Sequence, residues 1–228
     1  MATKGTDEFW KRMWEEDQIA FHMSAVHSFL IKYLDEMTGG KASCRIFVPL
    51  CGKSVDMKWL ADLGHIVVGV EVSEMAIKDF FNENSVEFSV GPVAGLQDAE
   101  LYTSKSSNIL LYKADLFNLN KDIMGDFDCI WDRASIVALL REDIQRYADL
   151  MVTLLKPTGR YLLSTFSYDQ SKMNGPPYST PAEVVEKLFA DKMDIKMLDE
   201  VEAINDMFKS RGLESIMNRT HLLIPKTL

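Results

Sequence analysis

Short apolar runs alternate with amphipathic segments along most of this chain. Residues 45–50 (RIFVPL) and 66–70 (IVVGV) are apolar without a helical period, which is typical of strands that are buried on both faces. Between them, residues 55–63 carry apolar side chains at helical spacing, and Gly64 follows as a natural helix stop. This pattern predicts a strand, a helix and a second strand in succession.

The same alternation continues through the rest of the chain. It predicts N-terminal helices at 9–19 and 20–34, a helix at 73–84, strands at 86–90, 108–114, 127–131 and 160–166, a polar hairpin or loop at 91–107, a last helix at 181–190, and an antiparallel closing pair at 195–204 and 213–224. Alternating strands and helices indicate a mostly parallel sheet that is covered on both faces. No repeat or linker divides the sequence, so we expect one domain over residues 1–228.

The composition narrows the classes of partner. The formal net charge of −9 disfavours nonspecific nucleic-acid binding, because that binding relies on neutralising phosphates. No apolar stretch has the length of a membrane span, and the N-terminus lacks the apolar core of a signal peptide. The chain has three cysteines, at positions 44, 51 and 129, and their spacing shows no pairs. An odd number without paired spacing favours reduced thiols in the cytoplasm. The histidines and cysteines form no metal-ligand pattern, so we expect no metal.

An acidic residue, Glu71, ends the second predicted strand, 19 residues after Gly52. In a doubly wound sheet the carboxyl ends of the strands face the ligand crevice, where an acid can accept hydrogen bonds from both ribose hydroxyls. The loop after the first strand lacks G-x-G-x-x-G, and Phe47 stands where a phosphate loop needs its first glycine. A nucleoside cofactor without pyrophosphate fits best, S-adenosylmethionine being the commonest. The alternative is an ordinary βαβ unit with a polar strand end.

Five segments together resemble the thiopurine S-methyltransferase family. They are WKRMWEEDQIAFH at 10–22, FVPLCGKSVDMKWLADLGHIVVGVEVSE at 47–74, FDCIWDRASIVAL at 127–139, YLLSTFSYD at 161–169 and GPPYSTPAEVVEKLF at 175–189. PLCGK or GVE alone would be unspecific, but the combination is distinctive and the resemblance covers nearly the whole chain.

The resemblance implies both a fold and a reaction. The fold is the Rossmann-like class I methyltransferase fold: a doubly wound, seven-stranded, mostly parallel sheet with an antiparallel closing strand, preceded by a helical lid at residues 1–40. The reaction is methyl transfer from S-adenosylmethionine to the sulfur of aromatic and heterocyclic thiols, including thiopurines, with release of S-adenosylhomocysteine. The family also implies a cytoplasmic monomer of xenobiotic metabolism without nucleic-acid or membrane partners.

The resemblance also implies which residues bind the cofactor. Those expected to do so are Trp10, Trp14, Phe21, Leu50, Gly52, Glu71, Asp115, Leu116 and Arg133. The three rings would cover the methionine part, since aromatic faces attract a sulfonium cation. The family often has a serine where Asp115 stands, so in this chain a carboxylate would replace a hydroxyl as the hydrogen-bond acceptor beside the adenine. The alternatives are ordinary packing for the rings and turn-forming roles for the loop residues.

Asp132 and Arg133 are the implied catalytic residues, and Arg133 would contact both cofactor and acceptor. A guanidinium stays charged and can face an aromatic thiolate, while Asp132 could assist water in taking a proton. The alternatives are a structural role for Asp132, as the partner of a backbone group or of Arg133, and an ion pair between the two residues without a catalytic part. The implied acceptor pocket consists of Phe21, Arg133, Tyr168, Pro176, Pro177 and Tyr178.

The chain departs from the family in its C-terminal segment. Vertebrate members carry an arginine that reaches the acceptor pocket, and this chain has Met207 at the aligned position, with Lys209 and Arg211 nearby. Either cation could substitute. Two rival functions stay open: a related methyltransferase of halide, selenide, thiocyanate or aliphatic nucleophiles, and a nucleoside-binding protein without catalysis.

Overall fold

The computed structural model describes residues 6–227 of the chain. Its helices are α1 (Asp7–Glu15), α2 (Ser28–Lys32), α3 (Leu34–Thr38), α4 (Val55–Asp62), α5 (Glu74–Glu83), α6 (Lys121–Met124), α7 (Ile144–Leu154), α8 (Ala182–Phe189) and α9 (Asp206–Ser210). Its strands are β1 (Arg45–Val48), β2 (Ile66–Glu71), β3 (Phe88–Val93), β4 (Leu96–Ser104), β5 (Ile109–Lys113), β6 (Phe127–Arg133), β7 (Leu155–Ser167), β8 (Met193–Glu202) and β9 (Met217–Pro225).

The strands of the described residues belong to one sheet in the order β3-β4-β5-β2-β1-β6-β7-β9-β8. The central strands β5, β2, β1, β6 and β7 are parallel to one another, and β9 lies antiparallel between β7 and β8. The carboxyl ends of β1, β2, β5 and β6 therefore meet at one edge of the sheet. The predicted doubly wound fold and the antiparallel closing pair are confirmed.

Helices cover both faces of the sheet because neighbouring strand residues point to opposite sides. On β2, Val67 packs into the core beneath α2 to α5, while Val68 packs into the core beneath α6 to α8. The apolar runs that lack a helical period are thus strands buried on both faces. Among the helices of residues 6–227, none is both long enough and apolar enough to cross a membrane.

The sheet has nine strands where seven were expected, because a hairpin extends one edge. β3 and β4 pair antiparallel, and β4 pairs antiparallel with β5, with Leu101 opposite Tyr112. The ring of Tyr102 is buried against those of Phe81 and Phe88. The segment 91–107 had the turn residues of a loop, but its few apolar side chains cover the end of α5.

The N-terminal region divides into two parts. Leu30 of α2 and Met37 of α3 are fully buried, so these helices belong to the core. The predicted helix at 20–34 is wrong over residues 20–27, which are turns, bends and irregular chain, and the N–H of His27 donates to Asp56 Oδ1 at 2.9 Å. Its remainder contains α2. The lid predicted at 1–40 therefore stays a prediction for α1 and the turns after it, whereas α2 and α3 pack in the core; residues 1–5 lie outside the described residues.

Close packing between β2 and the loop after β1 predicts a cost for any side chain at Gly69. A Cβ at Gly69 would lie 2.7 Å from both Cys51 Sγ and Leu111 Cδ2. We expect Gly69→Ala to lower the free energy of unfolding by about 1–3 kcal/mol, the usual cost of overpacking a core. Gly91→Ala, on β3, is the matched control, because a Cβ there would meet no atom within 4 Å. Denaturant unfolding measures both; equal stabilities would contradict the packing argument.

Candidate active site

The carboxylate of Glu71 lies at the carboxyl end of β2 and is almost completely buried. Its Oε2 accepts a hydrogen bond from the N–H of Gly52 at 2.9 Å, and its Oε1 accepts one from the N–H of Ser73 at 2.7 Å. Burial raises the pKa of Glu71, and both hydrogen bonds oppose this by favouring the charged form. A carboxylate has about four acceptor positions. The side chain is therefore fixed in orientation and can still accept further hydrogen bonds.

The loop after β1 approaches Glu71 through two residues in the left-handed region, with φ of +44° at Leu50 and +51° at Gly52. The N–H of Cys51 donates to the carbonyl oxygen just before Glu71, at 2.9 Å, which ties the loop to β2. A Cβ at position 52 would lie 2.9 Å from Cζ2 of Trp14. Glycine is needed here for its backbone freedom and for its size.

Three aromatic rings from the N-terminal region pack over this loop. Phe21 contacts Trp10 and Trp14 edge to face, with ring centroids 5.3 and 5.6 Å apart. Trp14 is buried, whereas 37% of Phe21 is exposed. The indole Nε1 of Trp10 is buried and has no hydrogen-bond acceptor within residues 6–227. A buried donor without an acceptor is costly, so this nitrogen indicates a place for a polar ligand atom.

Asp115 follows β5 at the same edge of the sheet. Its Oδ1 accepts a hydrogen bond from the N–H of Phe117 at 2.8 Å and caps a short 3-10 turn, in which Leu116 is buried. Asp7, in the first turn of α1, is half-buried, and its pKa is raised by burial and by the negative charge of Asp115. The charge of Asp7 also raises the pKa of Glu71. Three carboxylates from three elements thus face one space.

Arg133 ends β6 beside this space. Its Nη1 donates a hydrogen bond to the carbonyl oxygen of Phe21 at 3.2 Å, which links the N-terminal region to the sheet. Burial lowers the pKa of Arg133, while the charges of Asp56 and Asp132 raise it. A guanidinium remains charged at neutral pH even so. The site therefore holds a fixed positive charge against its carboxylates.

Asp132 points away from that space, since neighbouring residues of a strand face opposite sides. Its side chain is fully buried; Oδ2 accepts hydrogen bonds from the hydroxyls of Tyr147 at 2.6 Å and Tyr161 at 2.7 Å, and Oδ1 accepts one from the N–H of Ser135 at 2.8 Å. Burial raises the pKa of Asp132. The interpretation of Asp132 as a base for the acceptor does not fit this geometry, because the protein's own donors surround the carboxylate.

Four of the residues expected to form the pocket for the methyl acceptor lie in the loop after β7. The hydroxyl of Tyr168 donates to the carbonyl oxygen of Pro177 at 2.6 Å, and the N–H of Tyr178 donates to that of Val137 at 2.6 Å. Val137 belongs to the short turn after Arg133, so the loop is attached next to that arginine. Pro176 is partly buried in the same loop.

In the C-terminal segment, Lys209 and Arg211 differ in whether they contact the loop after β7. Met207 packs against a small apolar cluster that contains Phe208 and Tyr168. Lys209 is exposed and pairs with Asp206 at 3.5 Å, whereas Nη1 of Arg211 donates to the carbonyl oxygen of Pro176 at 3.4 Å. Arg211, not Lys209, therefore contacts the loop.

Two residues of the site were missed in the sequence. Asp7 lies in the first turn of α1, where acidic residues are common because they stabilise the start of a helix. Nothing in the local sequence therefore indicated that Asp7 belongs to the site. His22 belongs to the AFH motif, in which only Phe21 was predicted to contact the cofactor and the acceptor. Burial lowers the pKa of His22, and so do the nearby charges of Lys53 and Arg133. Its imidazole thus belongs to the same crevice edge.

A cavity of about 610 Å³ lies between the loop after β7 and the β8–β9 pair, and Tyr168 is one of its lining residues. Ser167, Glu200 and Arg219 are among its lining residues, and neither Glu71 nor Arg133 is. Within residues 6–227, no group of three histidine, cysteine or acidic side chains is arranged to hold a metal.

Comparisons with known proteins agree on one family. The family model described as Thiopurine S-methyltransferase (TPMT) matches residues 5–226. The thiopurine S-methyltransferase of Bos taurus is 43% identical over 221 residues, which is 97% of this chain and 90% of the relative. That of Mus musculus is 40% identical over 221 residues, covering 97% of this chain and 92% of the relative.

Solved structures share the fold at low sequence identity. The Burkholderia thailandensis 1,6-didemethyltoxoflavin-N1-methyltransferase, solved with its substrate and S-adenosylhomocysteine, has a TM-score of 0.65 and 15% identity, over 100% of this chain and 92% of that one. The N-methyltransferase NodS of Bradyrhizobium japonicum, solved with S-adenosylhomocysteine, has a TM-score of 0.65 and 13% identity, over 95% and 98%.

The contact between Gly52 and Trp14 predicts that a methyl group at this position displaces α1. We expect Gly52→Ala to speed hydrogen exchange in α1, because the added Cβ would lie 2.9 Å from the indole. Gly40→Ala is the matched control, since its φ of +71° gives a similar backbone cost of about 1–2 kcal/mol without any atom within 4 Å. Equal exchange of α1 in both variants would mean that the indole does not hold the helix.

Proposed function

The chain belongs to the thiopurine S-methyltransferase family, and we propose that it transfers the methyl group of S-adenosylmethionine to the sulfur of aromatic and heterocyclic thiols, thiopurines included. The products are a thioether and S-adenosylhomocysteine. The observation that carries this proposal is the buried carboxylate of Glu71, fixed by two backbone N–H groups beneath the rings of the N-terminal region.

The residues around Glu71 fit a nucleoside with an attached cationic sulfur. The remaining acceptor positions of Glu71 suit ribose hydroxyls. Asp115 suits the exocyclic amine of adenine, and the buried Nε1 of Trp10 offers a donor to the carboxylate of the methionine part. The rings of Trp14 and Phe21 suit the sulfonium, because aromatic faces attract cations and exclude water. Leu50, Gly52 and Leu116 contribute walls and close backbone approach.

S-adenosylmethionine supplies an electrophilic methyl group on a sulfonium sulfur. The chain's own residues contribute alignment and charge. The rings of the N-terminal region keep water from the crevice, which strengthens the effect of every charge inside it. Arg133 favours the ionised form of an acceptor thiol, since a nearby positive charge lowers the pKa of an acid. Holding two reactants in line supplies much of the rate in such transfers.

The hydrogen bond from Arg133 to the carbonyl oxygen of Phe21 links acceptor binding to the N-terminal region. A guanidinium has five N–H donors, so an incoming thiolate can bind beside this carbonyl or replace it. Tyr168, Pro176, Pro177 and Tyr178 provide a largely apolar wall, as expected for a pocket that accepts several ring systems. Arg211 supports that wall through the carbonyl oxygen of Pro176.

We assign Asp132 a positioning role instead of a role as base. Its carboxylate holds the N–H of Ser135, and the hydroxyl of Ser135 donates to the carbonyl oxygen of Pro49 at 2.8 Å. This chain of hydrogen bonds joins the end of β6 to the loop after β1. Arg133 and Gly52 are thereby kept at a fixed separation across the crevice.

A cytoplasmic monomer that acts on xenobiotic thiols is the setting we propose. The buried free thiols of Cys44, Cys51 and Cys129 are consistent with a reducing compartment. Sedimentation equilibrium tests the oligomeric state. A screen of thiophenols, alkyl thiols, halide and thiocyanate tests the acceptor class, and turnover of inorganic anions alone would favour the rival methyltransferase.

Substitution of Arg133 tests its role toward the acceptor. Arg133→Lys keeps the charge and loses the planar fork, and Arg133→Ala loses both. We expect Arg133→Ala to lower kcat/KM for thiophenols by about 10- to 100-fold, equivalent to the roughly 1.5–3 kcal/mol of a hydrogen bond to a charged group. Arg133→Lys should lose less. The loss should grow with the pKa of the thiol, because weaker acids depend more on the enzyme to ionise.

Arg160→Lys is the matched control, since Arg160 also donates to a backbone carbonyl, that of Glu36, but at the opposite end of the sheet. It should leave kcat/KM unchanged. If the Arg133 variants lose affinity for S-adenosylhomocysteine and keep the wild-type dependence on thiol pKa, Arg133 belongs to the cofactor site alone.

A further inference from the structure

His22 lies where the N-terminal region crosses the crevice. It directly follows Phe21, whose carbonyl oxygen accepts the hydrogen bond of Arg133, and its own N–H donates to the carbonyl oxygen of Ile19 at 2.8 Å. That turn fixes the backbone on both sides of the ring. The side chain is partly exposed, and within residues 6–227 no hydrogen bond to the imidazole contributes to its pKa.

The charges of groups from four elements act on this imidazole. They are Lys53 in the loop after β1, Arg133 at the end of β6, Asp56 in the first turn of α4 and Glu83 at the end of α5. Burial and the two cations lower the pKa of His22 and outweigh the two acids, which raise it. The ring is therefore neutral at physiological pH, and a neutral imidazole has one nitrogen that can accept a proton.

Asp132, Glu71 and Arg133 are poorly suited to take a proton from a weakly acidic thiol. Asp132 is enclosed by its own three donors, and Glu71 by two backbone N–H groups and the protein core. Arg133 can stabilise a thiolate but cannot accept a proton. The imidazole of His22 is a neutral base, and its residue directly follows the carbonyl group that Arg133 binds.

We propose that the imidazole of His22 accepts the proton of the acceptor thiol, a role that rests on the methyl transfer proposed above. The S–H bond breaks and its proton moves to an imidazole nitrogen. The S–CH₃ bond forms as the methyl group leaves the sulfonium sulfur, which keeps the electron pair of the broken bond. Arg133 holds the thiolate between these events, and the exposed edge of the ring passes the proton to solvent.

This role makes the enzyme's pH dependence differ from that of its substrate. With an alkyl thiol of pKa about 8.5, wild-type kcat/KM should stay level from about pH 7 up to that pKa and fall only below the pKa of His22. In His22→Gln the reaction depends on the thiolate already present in solution. Its kcat/KM should fall tenfold with each pH unit below the pKa of the thiol.

At pH 7 we expect His22→Gln to lose about 30-fold in kcat/KM with the alkyl thiol, because only about 3% of that thiol is ionised about 1.5 pH units below its pKa. With a thiophenol acidic enough to be ionised at pH 7, the loss should be less than about twofold. Met23→Gln, the exposed next residue, is the matched control and should change neither. Equal losses with both thiols would show a merely structural role and overturn the proposal, as would no loss with either.

Two further readouts do not depend on the variant's activity. In the wild type, a slope of one in log kcat/KM against pH, up to the pKa of the alkyl thiol, would exclude His22 as the proton acceptor. In a complex with S-adenosylhomocysteine, the NMR signal of His22 should shift when the thiol is added, and an unchanged signal would also overturn it. If the wild type methylates no thiol at all, the proposed function fails before this test begins.

Discussion

The two hydrogen bonds from backbone N–H groups to the carboxylate of Glu71 are the constraint on which the candidate site depends. They join the loop after β1 to the turn after β2, so the two central strands end in one rigid unit. The left-handed conformation of Gly52 brings its N–H to the carboxylate and leaves room for the indole of Trp14. A buried carboxylate is costly unless its oxygens are satisfied. The same bonds therefore stabilise the charge and aim its remaining acceptor positions into the crevice.

Strand β6 supplies the rest of the arrangement through the two-residue period of a strand. Trp131 points to one face, where its Nε1 donates to Asp56 at 2.8 Å. Asp132 points to the other face and binds two tyrosine hydroxyls. Arg133, at the end of the strand, lies at the crevice, where it binds the carbonyl oxygen of Phe21. Because Asp56 also holds the N–H of His27, the same buried acid fixes where the N-terminal region leaves the core and turns toward Arg133.

The sequence was sufficient to predict the parallel core and Glu71, because both follow from local rules: apolar runs without helical period, and an acid at a strand end. The edge hairpin was predicted only in part, as a strand at 86–90 and a polar hairpin or loop at 91–107, since its strands are mostly exposed and rich in turn residues. The WDR motif left open whether Asp132 is a base or a structural partner, because Tyr147 and Tyr161 lie on other elements and are not visible from the motif. The same applies to Asp7 and His22, whose roles depend on which groups the N-terminal region meets after folding. The packing of α2 and α3 in the core was not predicted, because burial of Leu30 and Met37 is a tertiary property.

Calorimetric titration of S-adenosylhomocysteine into Glu71→Ala tests the central claim most directly. If the carboxylate anchors the ribose, the dissociation constant should rise by about 10- to 100-fold, which corresponds to roughly 1.5–3 kcal/mol for hydrogen bonds to a charged group. Glu87→Ala removes an exposed carboxylate from the same chain and should bind as the wild type does. An unchanged dissociation constant in a Glu71→Ala protein with a wild-type circular dichroism spectrum would contradict the account.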